Sequence, residues 1–269
     1  METLNNEVVI ITGSTRGIGK SIALSLAAFG AAVVINGREA EAVHHVVEEV
    51  RSYGGKAIGV PGSVTDEETG EKLVDSAIKE FGRVTGLINN AGNVKDKISY
   101  RMNFDEFKEV IDVHINGAFS CTLPFIRTIR EREPTQQSVI INMTSSSGLT
   151  GNIGQVNYST AKAGLIGMTR TLAKEMSKYR VGVYAVAPAA LTDMTRPHIE
   201  KAQKLASTKG EDLPDYWKVG SAEQVAEFIA EIFYAPDQFQ SGEVYGVNGE
   251  QRSYWTASEQ RSIDFHSND

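Results

Sequence analysis

Short apolar runs alternate with stretches of helical spacing along this chain. Val8–Ile11, "VVII", is a β-rich run followed at once by glycines. Ile18, Ile22, Leu26 and Phe29 then recur at helical spacing, with Gly30 as a stop. "AVVIN" (Ala32–Asn36) predicts a second strand, and Val43, Val46, Val47 and Val50 a helix ended by Gly54 and Gly55. "KAIGV" is the third strand; Leu73, Ala77 and Ile78 mark a helix closed by Gly82; "GLINN" (Gly86–Asn90) is the fourth strand. The spacing predicts one long helix from about Phe104 to about Ile129. "SVIINM" (Ser138–Met143), "VGVYAVAP" and "EVYGVNG" (Glu243–Gly249) complete the strands, and a helix follows the first of these three.

Strands separated by helices imply parallel βαβ units with right-handed crossovers. Continuous apolar runs fit strands buried on both faces. The expected fold is therefore α/β: a doubly wound, Rossmann-type parallel sheet of about seven strands with helices on both faces. No repeat or Pro/Gly/Ser-rich linker divides the chain, so residues 1–250 are expected to form one catalytic domain. Two regions break the rhythm. Thr192–Gly220 is polar and irregular and is expected to form a lid; residues 251–269 form a C-terminal extension, in which Tyr254 and Trp255 suggest docking on the body or on a neighbouring subunit.

A length of 269 residues with 41% hydrophobic positions supports a full core. The net charge of -7, without a run of one sign, argues against a nucleic-acid partner. No apolar run reaches membrane-span length, and "METLNNEVVI" lacks the features of a signal peptide. A single cysteine, Cys121, excludes an intrachain disulfide and fits a reducing cytoplasm; its setting reads as buried helix.

Candidate chemistry begins after the first strand. In "TGSTRGIG" (Thr12–Gly19), Gly13, Gly17 and Gly19 allow a tight turn, close approach to a pyrophosphate and close helix packing. Ser14, Thr15, Arg16 and Ile18 complete the expected cofactor loop, and the helix opening there offers free N–H groups and a positive dipole end. The second strand ends "INGRE", without the acidic residue that usually binds the ribose hydroxyls of NAD. Arg38 and Arg16 could clamp a 2′-phosphate, which favours NADP(H) over NAD(H); the competing role for Arg38 is a surface cap. In "NYSTAKAG", Tyr158 and Lys162 lie one helical turn apart. An ammonium beside a phenol lowers the phenol pKa, giving a proton donor and acceptor able to work near neutral pH.

Together "TGSTRGIG", "NNAG" (Asn89–Gly92), "TSSSG" (Thr144–Gly148), "YSTAK" (Tyr158–Lys162) and a closing "VNG" resemble the short-chain dehydrogenase/reductase family over roughly residues 5–250. The resemblance implies hydride transfer between a nicotinamide and a carbonyl or secondary alcohol. It makes Tyr158 the proton donor in reduction, and Lys162 the group that lowers its pKa and binds the nicotinamide ribose. Ser145 becomes the hydrogen-bond donor to the substrate oxygen; Ser146 and Ser147 compete on composition, and the family spacing selects Ser145. Asn89, Ala91 and Gly92 would line the cofactor, Asn89 also holding the central strands together, with Pro188 and Thr192 near the nicotinamide. The family further implies a homotetramer with contacts through the long helix and the Tyr158 helix. Ala163, Gly164, Ile166, Gly167 and Thr171 place small and apolar residues on more than one face of the latter.

Three departures matter. In "DVHINGAF", His114 stands where many members have an asparagine that completes a proton relay. It could serve by backbone carbonyl or imidazole, or be a structural histidine; Asn116, two places on, lies on the wrong face. "APAALTDMT" (Ala187–Thr195), with "VHI", resembles the branch holding the (3R)-hydroxyacyl-CoA dehydrogenase domains of peroxisomal multifunctional enzymes and their bacterial relatives. Ser63, in "GSVTD", takes the place of an adenine-contacting aspartate, so Ser63 or the Val64 backbone would meet adenine. The resemblance is closest to reductases of 3-oxoacyl thioesters. Sugars, polyols, steroids and small ketones stay open as substrates, as does a non-catalytic dinucleotide sensor. An extended-family epimerase or dehydratase would need a different glycine loop.

Overall fold

A computed structural model describes residues 3–132, 137–192, 195–214 and 217–256. One eight-stranded sheet runs in the order β3-β2-β1-β4-β5-β6-β7-β8. The strands are β1 Val8–Ile11, β2 Ala32–Gly37, β3 Lys56–Pro61, β4 Gly86–Asn89, β5 Ser138–Met143, β6 Val181–Ala189, β7 Val244–Asn248 and β8 Gln251–Trp255. The first seven are parallel; β8 turns back antiparallel on β7, pairing Asn248 with Gln251 and Val244 with Trp255.

The eighth strand exceeds the seven expected from the sequence, and lies in the stretch assigned to an extension. Its polar pattern hid it: only Trp255 is part-buried, packed over Gly246, while Tyr254 is exposed. The rest of the tail, from residue 257, lies outside the described residues.

Strand periodicity divides the core in two, since successive side chains point to opposite faces. Val9 and Ile11 pack under α1 (Gly17–Ala28), α2 (Ala40–Ser52) and α9 (Ala222–Tyr234). Val8 and Ile10 pack under α3 (Glu67–Phe81), α5 (Gly117–Arg132) and α7 (Val156–Met176). β1, β2, β4 and β5 are buried at every residue, whereas the edge strand β3 is buried only at Ala57 and Val60. Burying these side chains removes apolar surface worth about 25 cal/mol per Å² from water, which is what holds both helical layers to the sheet.

Two helical segments differ from the sequence expectation. The long helix is interrupted: α4 (Phe104–Ile111) passes through a π-helical turn, Asp112–Asn116, into α5. A π turn inserts an extra residue, which apolar spacing cannot reveal; His114, within it, is buried. The segment read as irregular contains α8 (Arg196–Lys209), closed by Gly210 at φ +67°. A further short turn, α6 (Ser147–Thr150), precedes α7. Consecutive crossovers run in opposite directions from β1, so a crevice opens past the C-terminal ends of β1 and β4. Asp193, Met194, Asp215 and Tyr216 of the lid lie outside the described residues.

Candidate active site

The glycine loop joins β1 to α1 at this crevice. Gly13 and Gly17 take φ of +61° and +53°, where L side chains rarely fit. At Gly13 a Cβ would lie 2.7 Å from the Ala91 backbone; at Gly17 it would point into open space, with Thr192 no closer than 4.0 Å. The start of α1 has no side-chain cap, so its N–H groups are free to face an anion. Gly17, the uncapped helix and Thr192 thus form a cradle that suits a dinucleotide pyrophosphate. Ser14 is buried and donates Oγ–H to Ile11 O at 2.7 Å, Thr15 packs on Gly37, Ile18 packs on the core, and Gly19 fits against Asn90. These four shape the loop from inside.

Asn36 also serves the scaffold. Its Nδ2 donates to Val60 O and Gly62 O, at 3.0 and 3.1 Å. Arg16 and Arg38 are exposed at the adjacent rim, and neither makes an ion pair among the described residues. Ser63 Oγ bonds Thr65 Oγ1, while Val64 packs on Gly117 and its carbonyl accepts from Ser120. Pro188 is part-buried at the end of β6.

The "NNAG" segment locks onto the glycine loop. Thr12 Oγ1 accepts from the N–H groups of Asn90 and Ala91, both at 3.0 Å, and Asn90 Nδ2 donates to Thr12 O and Gly13 O. Asn89 Nδ2 donates to Asn142 Oδ1 at 2.9 Å and to Thr122 Oγ1 at 3.0 Å; Asn142 donates onward to Thr169. This buried chain ties β4 to β5, α5 and α7, as expected for Asn89. Asn142 and Thr169 escaped notice in the sequence, although a lone asparagine inside "SVIINM" was a visible signal.

Ser145, Tyr158 and Lys162 come together past the end of β5. The Ser145 side chain lies beside the Tyr158 phenol, close enough to oppose the rise in its pKa. Gly148 permits this, because a Cβ there would lie 2.6 Å from the Lys162 backbone and push the serine turn off α7. Thr144 Oγ1 fixes the same contact by donating to Lys162 O at 2.8 Å. Lys162 is buried; its Nζ donates to Met143 O and sits 5.4 Å from the Tyr158 ring centroid.

The electrostatics of the chain alone run opposite to the sequence expectation. Burial pushes the Tyr158 phenol up to about 12, Ser145 opposing this and Asp96 adding to it. Burial brings Lys162 down to about 7. A lysine near 7 is half neutral at neutral pH, so its field on the phenol is weak while desolvation of the phenolate is strong.

His114 is buried and forms an edge-to-face pair with Tyr158, ring centroids 5.3 Å apart. Its Nε2 lies 2.9 Å from Asn93 O. Burial first, and the Lys162 ammonium second, bring its pKa down to about 3, so the imidazole is neutral. Asn116 is exposed and bonds Asp112. Sequence reasoning missed Gln155 and Asp96, which adjoin the site; Gln155, three residues before Tyr158, was the available signal.

A doubly wound sheet with a glycine loop and a Ser-Tyr-Lys cluster at the C-terminal strand ends defines a dinucleotide-dependent oxidoreductase class. The short chain dehydrogenase family model matches residues 7–203, and the chain belongs to that family. It is 39% identical over 248 residues to the 3-oxoacyl-[acyl-carrier-protein] reductase FabG of Aquifex aeolicus, covering 91% of this chain and 97% of that protein. It is 42% identical over 215 residues to the peroxisomal hydratase-dehydrogenase-epimerase of Saccharomyces cerevisiae, covering 74% of this chain and 23% of that much longer protein. The crystal structure of a short chain dehydrogenase from Mycobacterium avium superposes with a TM-score of 0.83 at 31% identity, over 97% of this chain and 89% of that one. The protein is thus a short-chain dehydrogenase/reductase, and the family implies a nicotinamide dinucleotide cofactor. No helix among the described residues is long and apolar enough to cross a membrane.

Proposed function

We propose that the chain reduces the 3-keto group of 3-oxoacyl thioesters, carried on acyl carrier protein or CoA, with NADP(H). The observation that carries this is the placement of Ser145 beside the Tyr158 phenol, with Lys162 buried 5.4 Å from the phenol ring centroid, next to a helix start that has no side-chain cap. Tyr158 is the proton donor: a phenol held at about 12 stays protonated at neutral pH and is ready as an acid. Ser145 and Tyr158 together donate to the carbonyl oxygen as negative charge grows there. The nicotinamide, when bound, supplies the hydride in reduction and accepts it in oxidation. Lys162 holds the ribose and, when protonated, the positive charge that steadies the phenolate left by proton transfer. His114 acts as a positioning residue, bracing the Tyr158 ring and Asn93.

Gly13, Gly17 and Gly19 with the N–H groups of α1 hold the pyrophosphate; Asn89, Ala91 and Gly92 line the cofactor; Pro188 and Thr192 flank the nicotinamide; Ser63 and Val64 meet adenine. Arg16 and Arg38 hold the 2′-phosphate; their support is that both are exposed, with no ion pair among the described residues, at a rim with no carboxylate at the end of β2. The thioester class is supported by the name of the Aquifex relative, a 3-oxoacyl-[acyl-carrier-protein] reductase. A homotetramer is supported by Ala163, Gly164 and Gly167 on α7 and Phe119 on α5, all exposed in the single chain. The single cysteine, Cys121, is buried, and a chain without an intrachain disulfide fits a reducing compartment such as the cytoplasm.

Oxidation of NADPH and NADH is followed with acetoacetyl-CoA, diketones and sugars. The expected result is acetoacetyl-CoA reduction preferring NADPH. Turnover confined to sugars, or to NADH, would overturn the substrate or the cofactor assignment respectively.

A further inference from the structure

Gln155 lies one turn before Tyr158 and on the same side of the helix start. Its Nε2 donates to Asp96 Oδ2 at 2.9 Å, while its Oε1 accepts from Ser147 Oγ and Asn152 Nδ2, both at 3.0 Å. Two donors on Oε1 fix the amide orientation, so only the NH2 end meets the carboxylate. Ser147 also donates its backbone N–H to Ser145 Oγ at 3.2 Å, so the network reaches the catalytic serine. The loop bearing Asp96 is clamped on both sides: Asn157 Nδ2 donates to Lys95 O at 3.0 Å, and Lys97 N–H to Gly154 O at 2.7 Å. Lys95 pairs with Glu109 and Lys97 with Glu106, each at 2.8 Å. A carboxylate is thereby fixed at the rim of the site, close enough to raise the Tyr158 phenol.

We infer that Asp96, held by Gln155, is a specificity-determining residue that turns away substrates carrying a negative charge beside the reacting carbonyl. The site therefore takes 3-oxo esters and thioesters over free 3-oxo acids. This rests on the 3-oxoacyl assignment above and deepens it. An ester and its parent acid share a carbon skeleton and differ at neutral pH by one charge. Like charges across a partly solvated pocket alter a rate on the order of fivefold to tenfold, and salt screens the effect.

The test compares kcat/KM for ethyl acetoacetate and acetoacetate, with the full-length wild type and Asp96→Asn. Asparagine keeps an acceptor for Gln155 Nε2, so the network stays intact while the charge goes. The ester-to-acid ratio should fall about fivefold or more in D96N. Intrinsic reactivity differences cancel in that comparison. Independently of any variant, raising the salt from low to about 1 M should shrink the wild-type ratio. If the ester is reduced but the ratio moves with neither D96N nor salt, the role of Asp96 falls and the substrate class stands. If the wild type reduces neither the ester nor acetoacetyl-CoA, the substrate class falls and takes the inference with it.

Discussion

Replacing Lys162 by Met should stabilise the chain while removing its activity, and the stabilisation should depend on pH in a calculable way. Lys162 is buried in the cofactor-free protein, and its pKa drops from 10.5 to about 7. The folded chain then binds fewer protons than the unfolded chain between those values, so stability rises with pH across that window. Ionisation linkage puts the penalty at ~4 kcal/mol at pH 7 and ~2 kcal/mol at pH 9. Met fills similar volume and carries no charge, so it escapes both penalties. It also leaves the Met143 carbonyl without its donor, a cost of roughly 1–3 kcal/mol that does not vary with pH. The difference between variant and wild type should therefore be about 2 kcal/mol larger at pH 7 than at pH 9. At about 2–4 °C per kcal/mol, the Tm gap should narrow by roughly 4–8 °C on going to pH 9. His114 and Tyr158 cancel in the comparison, because their folded values of about 3 and about 12 lie outside the range and both proteins contain them. Thermal denaturation of both proteins at both pH values, without cofactor, measures it. A Tm difference equal at the two pH values would refute the claim that Lys162 is held near neutrality.

Tyr158→Phe should lower kcat on the order of 10²- to 10⁴-fold while leaving NADPH affinity nearly unchanged, as measured by turnover and fluorescence titration; full kcat would remove Tyr158 as the acid. Arg38→Asp should shift the kcat/KM preference from NADPH towards NADH, since a carboxylate repels a 2′-phosphate and accepts from ribose hydroxyls. An unchanged ratio would leave Arg38 as a surface residue. Asn89→Ala should destabilise the fold by about 2–3 kcal/mol in urea denaturation, because it strips the donor from buried Asn142 Oδ1 and Thr122; a loss under about 0.5 kcal/mol would show that the buried chain tolerates a gap.

The strands buried on both faces were legible because their apolar runs have no other use in water, and the glycines that end α1, α2 and α3 sit where the spacing stops. The Tyr158–Lys162 pair was legible because the two share one helix face, whereas Ser145 was told from Ser146 and Ser147 only by the family spacing. β8 was not, since an exposed edge strand carries no apolar signature beyond Trp255. The π turn was not, because one inserted residue does not alter the average apolar spacing; the burial of His114 with Asn116 exposed agrees with the helical reading. α8 was hidden by its polar, solvent-facing composition. Gln155 and Asp96 lie 59 residues apart and meet only because two loops are clamped together.

The inverted electrostatics of Tyr158 and Lys162 have a single cause. Spacing along a helix tells which groups are neighbours; it says nothing about how much water each retains. Here both groups are withdrawn from water, and desolvation, which penalises either charged form, outweighs their mutual attraction at 5.4 Å from ring centroid to ammonium. The same region contains a helix start without a side-chain cap and a buried Asn89 Oδ1 with no partner among the described residues. Each of these costs the folded chain some stability. Such costs concentrate where a ligand supplies the missing partners. A polyanionic dinucleotide laid along the rim would favour the charged form of Lys162, and a charged Lys162 would in turn favour the phenolate. Sequence spacing identified the two neighbours, while burial, which spacing does not report, sets the direction of both shifts.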